Sequence, residues 1–195
     1  MSDSYEFWKN IWDSKGNSSS NDLLFLDGYE HLGIDFSSKK IVENIIETLQ
    51  IQPGESILEV GCGCGFLARE LVSEFKYIGV DYSFPIVEKH KELFNHEVYV
   101  SEANNLDFKS GSFDYVFCYG VFQYLPNKTY AEQVITEMTR VAKKGIYLGD
   151  LKTDQTRPTH FVYPESALVE KNFDLIQKDS YNNDTKRFSA FRRLT

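Results

Sequence analysis

The sequence predicts an α/β fold in which a mostly parallel sheet lies between two layers of helices and ends in an antiparallel hairpin. Three observations carry this. From residue 37 onward short apolar runs alternate with amphipathic segments, and a glycine-rich turn, EVGCGCGF (59–66), follows the first of those runs. The alternation breaks only near the C-terminus, where two strand-like runs flank the turn-rich NNDTK (182–186).

Taken in order, SSKKIVENIIETLQ (37–50) opens on a serine cap and places Ile41, Ile45 and Leu49 on one stripe beside Val42 and Ile46. That spacing predicts an amphipathic helix, stopped at Gln52-Pro53-Gly54. SILEV (56–60) reads as a buried strand, and after the glycine turn FLARELVSEF (66–75) reads as a helix leading to the strand YIGVD (77–81). Ser83, with Pro85 in the first turn, opens a further helix to about Asn95. EVYV (97–100) and FDYVFCY (113–119) follow as strands, TYAEQVITEMTRVAKK (129–144) as a helix, GIYLGD (145–150) as the fifth strand and PESALVEKN (164–172) as a short helix. FDLIQKDSY (173–181) and RFSAFRRL (187–194) complete the hairpin. Ahead of this core, residues 1–36 carry Tyr5, Phe7, Trp8 and Trp12 before the Ser-rich connector GNSSSND (16–22). They read as an N-terminal flap of the same domain, with 37–195 as the core.

The 195 residues fit one domain, and 42% hydrophobic residues suffice for a sizeable core. The net charge of -8 works against a sequence-independent grip on nucleic acid or anionic lipid. No stretch approaches the roughly 18 apolar residues of a membrane span. Three cysteines, 62, 64 and 118, are too few and too odd in number for a disulfide framework. These features read as a cytoplasmic chain, monomer or homodimer, with neither nucleic acid nor membrane as partner. A metal site would want more ligands than three thiols, and none is expected.

The glycine turn decides the ligand class. A dinucleotide fingerprint needs G-x-G-x-x-G, whereas here the pattern is G-x-G-x-G and the sixth position is Phe66. A turn through Gly61, Gly63 and Gly65 still lets backbone approach a ligand at the sheet's C-terminal edge. Asp81 ends the next strand, where a carboxylate can accept hydrogen bonds from a ribose diol. An adenosine-containing ligand is implied.

These stretches, with EANNLDFKSGSFDYVFCYGVFQYLP (102–126) and EMTRVAKKGIYLGD (137–150), resemble the class I S-adenosylmethionine-dependent methyltransferases over roughly residues 37–195. The resemblance implies a Rossmann-like three-layer sandwich with seven strands, the last antiparallel, and S-adenosylmethionine as cofactor with S-adenosylhomocysteine as product. Carried over by position, Glu59, Gly61, Gly63 and Gly65 would face the methionine part and Asp81 the ribose. Tyr82 would sit beside the adenine, Asn104, Asn105 and Leu106 would flank it, and Tyr119, Gly120 and Val121 would line the floor. Two positions depart from the pattern: Gln123 stands where many relatives have His, and Lys143-Lys144-Gly145 where they have a Gly-Gly or Pro-Gly pair.

A sulfonium methyl is already activated, so the protein mainly positions the acceptor and excludes water. Tyr5, Trp8 and Trp12 are candidates to close over the cofactor, with aromatic faces that attract a sulfonium. Asp150, His160, His31 and Tyr124 are the catalytic candidates, each with a capping, solvated or packing role as its alternative. The Asn/Asp-Pro-Pro-aromatic motif of amino-methylating nucleic-acid enzymes is absent, with YGVF (119–122) in its place. The expected acceptor is therefore a small metabolite, sugar-related or of secondary metabolism, methylated on O or N. The rival readings are a non-catalytic cofactor-binding module and an NAD-dependent oxidoreductase.

Overall fold

The computed structural model describes residues 3–31, 36–155, 157–176 and 186–194. Its centre is a seven-stranded sheet in the order β3-β2-β1-β4-β5-β7-β6. The strands are β1 (Ser56–Val60), β2 (Lys76–Asp81), β3 (Val98–Val100), β4 (Phe113–Tyr119), β5 (Ala142–Lys152), β6 (Asp174–Ile176) and β7 (Arg187–Arg193). Strands β1 to β5 pair in parallel, and β7 runs antiparallel to both β5 and β6. The sheet is thus the expected one, hairpin included, although the residues joining β6 to β7 (177–185, with NNDT) lie outside the described ones.

Period-two alternation sorts the core into two layers. Leu58, Val116, Cys118, Ile146 and Leu148 face the helix α5 (Lys128–Val141) with its Val134, Ile135 and Met138. Ile57, Tyr115, Phe117 and Tyr147 face the helix α3 (Ser38–Leu49), whose Ile41, Val42, Ile45 and Leu49 are the stripe the spacing predicts. The caps are also those expected. Ser37 accepts from Lys40 N, and Ser83 caps α4 (Phe84–Phe94), which ends on Asn95 in the left-handed region at φ 53°.

Two elements differ from expectation. The segment 66–75 is no regular helix but a wound chain with only a 3₁₀ turn at Ala68–Glu70, its bonds alternating between i−4 (Val72 to Ala68) and i−3 (Leu71 to Ala68). Phe66, Leu67 and Ala68 are all buried. Successive side chains on a regular helix diverge by about 100°, so three buried in a row need cover on more than one face. The helix α5 also stops at Val141 rather than at Lys144, because Ala142 is already extended and β5 starts there. Asp150, read as the last residue of the fifth strand, sits inside it because β5 runs on to Lys152, at a register shift between Leu148 and Leu151.

The N-terminal residues form the helix α1 (Asp3–Gly16), the short α2 (Leu23–Leu26) and the turn after it. A last helix, α6 (Glu165–Glu170), packs Ala167 and Leu168 into the α5 layer. Among the described residues no helix is long and apolar enough to cross a membrane.

Candidate functional site

Strands β1, β2 and β4 end at one cleft, which encloses about 960 Å³ counting its mouth, the size class of a cofactor site. Its floor is the glycine turn. Gly61 and Cys62 donate their N–H groups to Val80 O at 2.7 and 3.0 Å, binding the turn to β2. Gly63 N–H donates to Asp81 Oδ2 at 3.2 Å, and Ser83 N–H to Oδ1 at 3.0 Å, so Asp81 is fixed from two sides. From the opposite direction Asp27, in the turn after α2, accepts from Cys64 N–H at 2.5 Å and Phe66 N–H at 2.9 Å. One carboxylate thus occupies the donors through which such a turn could hold an external anion.

Glu59 lies buried at the end of β1 and accepts from the Tyr77 hydroxyl at 2.6 Å. Burial raises all three carboxyls: Asp27 up to about 7, with backbone donors and Lys15 pulling the other way; Asp81 up to about 6; Glu59 well above the usual carboxylate range. Three acids line the cleft, and none of its described lining residues is Lys, Arg or His. A pyrophosphate would meet only like charge there, whereas a cation would relieve the acids' mutual repulsion.

The remaining walls are aromatic and small. Tyr5, Tyr82, Tyr119, Gly120, Val121, Tyr124 and Tyr130 line the cleft, with Ser101, Ala103 and Leu125. Helix α1 roofs it at three fastened points. Tyr5 and Tyr130 both donate to Glu102, at 2.5 and 2.6 Å, which ties α1 to α5 across the mouth. Ser83 Oγ donates to Asp13 at 2.6 Å, and the Trp8 indole N–H to Thr159 O at 2.9 Å.

Of the residues singled out from sequence, the fold brings Glu59, Gly61, Gly63, Asp81, Tyr82, Tyr119, Gly120, Val121 and Tyr124 to this cleft. Others lie off its lining. Gly65 backs onto His90 and Phe94, Asn104 donates to Gln133 at 3.0 Å on α5, Asn105 is exposed and Leu106 is part of the α5 core layer. Trp8 packs behind the wall, against Tyr124 at 4.5 Å and stacked on His160 at 5.3 Å, while the other two aromatics expected to close over the cofactor, Tyr5 and Trp12, reach the cleft. His31 is exposed, His160 is buried behind Trp8, and Asp150 stands one layer behind Gly120. The three thiols fall in three separate apolar clusters, Cys118 on the opposite face of the sheet from Cys62, and burial raises each of them. They are held protonated, and among the described residues no group of His, Cys, Asp and Glu is arranged to hold a metal.

Residues 57–145, the span that builds the glycine turn and both acids of β1 and β2, match the sequence family described as a methyltransferase domain. That span is a methyltransferase domain. The chain is similar to the probable tRNA methyltransferase 9B of Bos taurus, 33% identical over 122 residues that make up 61% of this chain and 26% of that protein. It is also similar to phosphoethanolamine N-methyltransferase 2 of Caenorhabditis elegans, 26% identical over 77% of this chain and 44% of that protein. The chain thus spans less than half the length of either curated relative. In fold it is similar to the magnesium protoporphyrin IX methyltransferase of Synechocystis PCC 6803, a structure with bound S-adenosylmethionine, at a TM-score of 0.68 and 14% identity, over 100% of this chain and 99% of that one.

The sequence reading missed Asp27, Tyr29, Phe66 and Tyr130 in the cleft. Tyr29 and Phe66 pack together at 5.1 Å, the first from the segment after α2. The only local signal was the acid-glycine pair Asp27-Gly28 closing the apolar run LLFL.

Proposed function

We propose that the chain is an S-adenosylmethionine-dependent methyltransferase acting on the O or N of a small-molecule acceptor. The observation that carries this is the cleft's composition: a glycine turn, three carboxyls and, among the described lining residues, no basic one. That set suits a ligand with an adenosine diol and a sulfonium, and disfavours a dinucleotide. S-adenosylmethionine supplies a methyl on a positively charged sulfur, needing no activation by the protein.

The chain's own residues then bind, orient and exclude water. Asp81 takes the ribose hydroxyls, Glu59 and Asp27 give the cationic end a negative field, and Tyr82 and Ala103 flank the adenine. Tyr5, Trp12 and the Glu102 bridge keep water from the reacting atoms. Tyr124 is the catalytic candidate that reaches the cleft, but burial pushes its phenol up to about 12. It acts as a hydrogen-bond donor to the acceptor rather than as its base. The net charge of -8 supports a small acceptor over a nucleic acid.

Calorimetric titration of the full chain with S-adenosylmethionine and with NAD tests the reading, with binding expected for the first alone. Asp81→Ala is expected to weaken that binding by about a hundredfold or more, since two hydrogen bonds to a charged group contribute about 1.5–3 kcal/mol each. Absence of S-adenosylmethionine binding, or an unchanged affinity in Asp81→Ala, would overturn it.

A further inference from the structure

Behind the glycine turn, α4 carries a histidine that does not line the cleft and is fully buried all the same. Burying the two ring nitrogens of His90 costs desolvation that an aliphatic side chain would avoid, so the position is polar for what those nitrogens hold. His90 Nδ1 lies 2.8 Å from Gly63 O. A carbonyl oxygen only accepts, so Nδ1 carries the proton and donates it. Nε2 is then the bare nitrogen, and it accepts from His96 Nδ1 at 3.0 Å. His96 is partly exposed and stacked on Phe94 at 5.0 Å. One carbonyl thus fixes the direction of both bonds. Burial holds His90 down at about 4, which keeps the imidazole in the neutral form that this arrangement needs.

The turn is shaped around this ring. Gly65, expected from the sequence to face the ligand, instead leaves room for it: a Cβ there would lie 2.9 Å from His90 Nε2 and 3.1 Å from Cε1. Cys62 Sγ packs on Nδ1 at 3.8 Å. The third glycine of the G-x-G-x-G pattern therefore serves the histidine.

The bond matters because of the peptide it holds. Gly63 C=O and Cys64 N–H belong to one trans peptide unit and point to opposite sides. His90 donates to the oxygen, and Asp27 accepts from the N–H at 2.5 Å. Glycine opposes rotation of that plane less than any other residue. Once rotated, the carbonyl dipole would face the Asp27 carboxylate and the Cys64 N–H would lose its partner. The neighbouring peptide gives Gly63 N–H to Asp81 Oδ2 at 3.2 Å. His90 therefore bears on two acids of the cleft, Asp27 and Asp81, without reaching the cleft itself.

We infer that His90 is a positioning residue for cofactor binding: its Nδ1–H locks the Gly63–Cys64 peptide in the orientation that presents Asp27 and Asp81 to the cleft. The link to the cofactor rests on the methyltransferase reading; the hydrogen bond itself does not.

Long-range proton–nitrogen NMR spectra of the full chain at neutral pH are expected to show His90 as the neutral Nδ1–H tautomer. An Nε2–H tautomer or an imidazolium would overturn the assignment. Calorimetric titration with S-adenosylhomocysteine then reads the effect on the cleft. His90→Leu is expected to bind about tenfold more weakly or worse, because Gly63 O loses its donor. His90→Asn places an amide N–H where Nδ1 stands and is expected to recover most of that loss. A side chain that only filled space would rank the two the other way, since leucine matches the imidazole's bulk and asparagine leaves a void. If His90→Leu does not fold, His90→Gln takes its place with the same expectation, because its amide reaches the Nε2 position and faces His96 instead. A leucine or glutamine variant that binds as tightly as the unmodified chain, or an asparagine variant no better than these, refutes the positioning role. Failure of the unmodified chain to bind S-adenosylhomocysteine counts against the methyltransferase reading instead, and the tautomer still decides the hydrogen bond.

Discussion

Gly63→Val should abolish cofactor binding, whereas the double replacement Cys62→Ala and Cys64→Ala should retain it. Gly63 sits at φ 53°, where a β-branched residue is strained, and a Cβ there would lie 2.4 Å from Asp27 Oδ1. The obstacle is therefore the protein's own carboxylate rather than the ligand alone. Valine must push Asp27 aside, which frees the Cys64 and Phe66 N–H groups that this acid satisfies and distorts the turn that holds Asp81 through Gly63 N–H. Each orphaned donor costs about 1–3 kcal/mol, although water in the cleft can reach part of that deficit. The thiols make only long contacts, Cys62 with Gly63 O at 3.7 Å and Cys64 with Ile86 O at 3.9 Å. Their removal leaves small voids worth about 1 kcal/mol each. Cofactor titration by calorimetry, beside thermal unfolding of each variant, separates lost binding from lost folding. A Gly63→Val protein that binds normally would show that the turn does not touch the ligand.

The same turn shows what a chain can disclose before it folds. Its glycines, the strand before it and Asp81 were legible because each is tied to local pattern: period-two burial, positive φ and an acid at a strand's end. The helix stripe of α3 and the caps at Ser37 and Ser83 were legible for the same reason. Asp27 was not, since it lies 37 positions from Cys64 and reaches the turn only after the N-terminal segment has crossed the sheet's edge. Tyr5 and Tyr130 meet at Glu102 across intervals of 97 and 28 residues, and no periodicity encodes that meeting. The misread segment 66–75 has a related cause. Its apolar residues suit a helix, but Phe66 is drawn to Asp27 and lines the cleft, a long-range demand that outweighs local propensity.

Cofactor affinity should fall as pH is lowered from about 7.5 to about 5.5, and Asp27→Asn should remove the upper part of that dependence. Asp27 is raised by burial from 3.8 to about 7 and Asp81 from 3.8 to about 6. At pH values between 3.8 and these folded values the unfolded chain has lost the proton that the folded chain keeps. The folded state then binds more protons, so the ligand-free protein loses stability as pH rises through this window, the reverse of the usual salt-bridged carboxylate. A cationic ligand prefers the ionised acids, so its binding expels those protons and is opposed by acid. Below a linked group's pKa the affinity drops by about tenfold per pH unit for each proton released. In Asp27→Asn the side chain is neutral throughout, so the share of the decline that Asp27 causes near 7 should disappear, leaving the shares of Asp81, near 6, and of the buried Glu59. The amide also offers one acceptor oxygen where two N–H groups had one each, and affinity at pH 8 should be lower than in the unmodified chain. Calorimetry in buffers of different ionisation enthalpy counts the protons released, and melting temperatures of the ligand-free protein across the same range check the opposite slope. A flat affinity from pH 5.5 to 8, or an Asp27→Asn profile that overlays the original, would mean that the acids at the glycine turn stay ionised and that the cleft's charge does not govern what it binds.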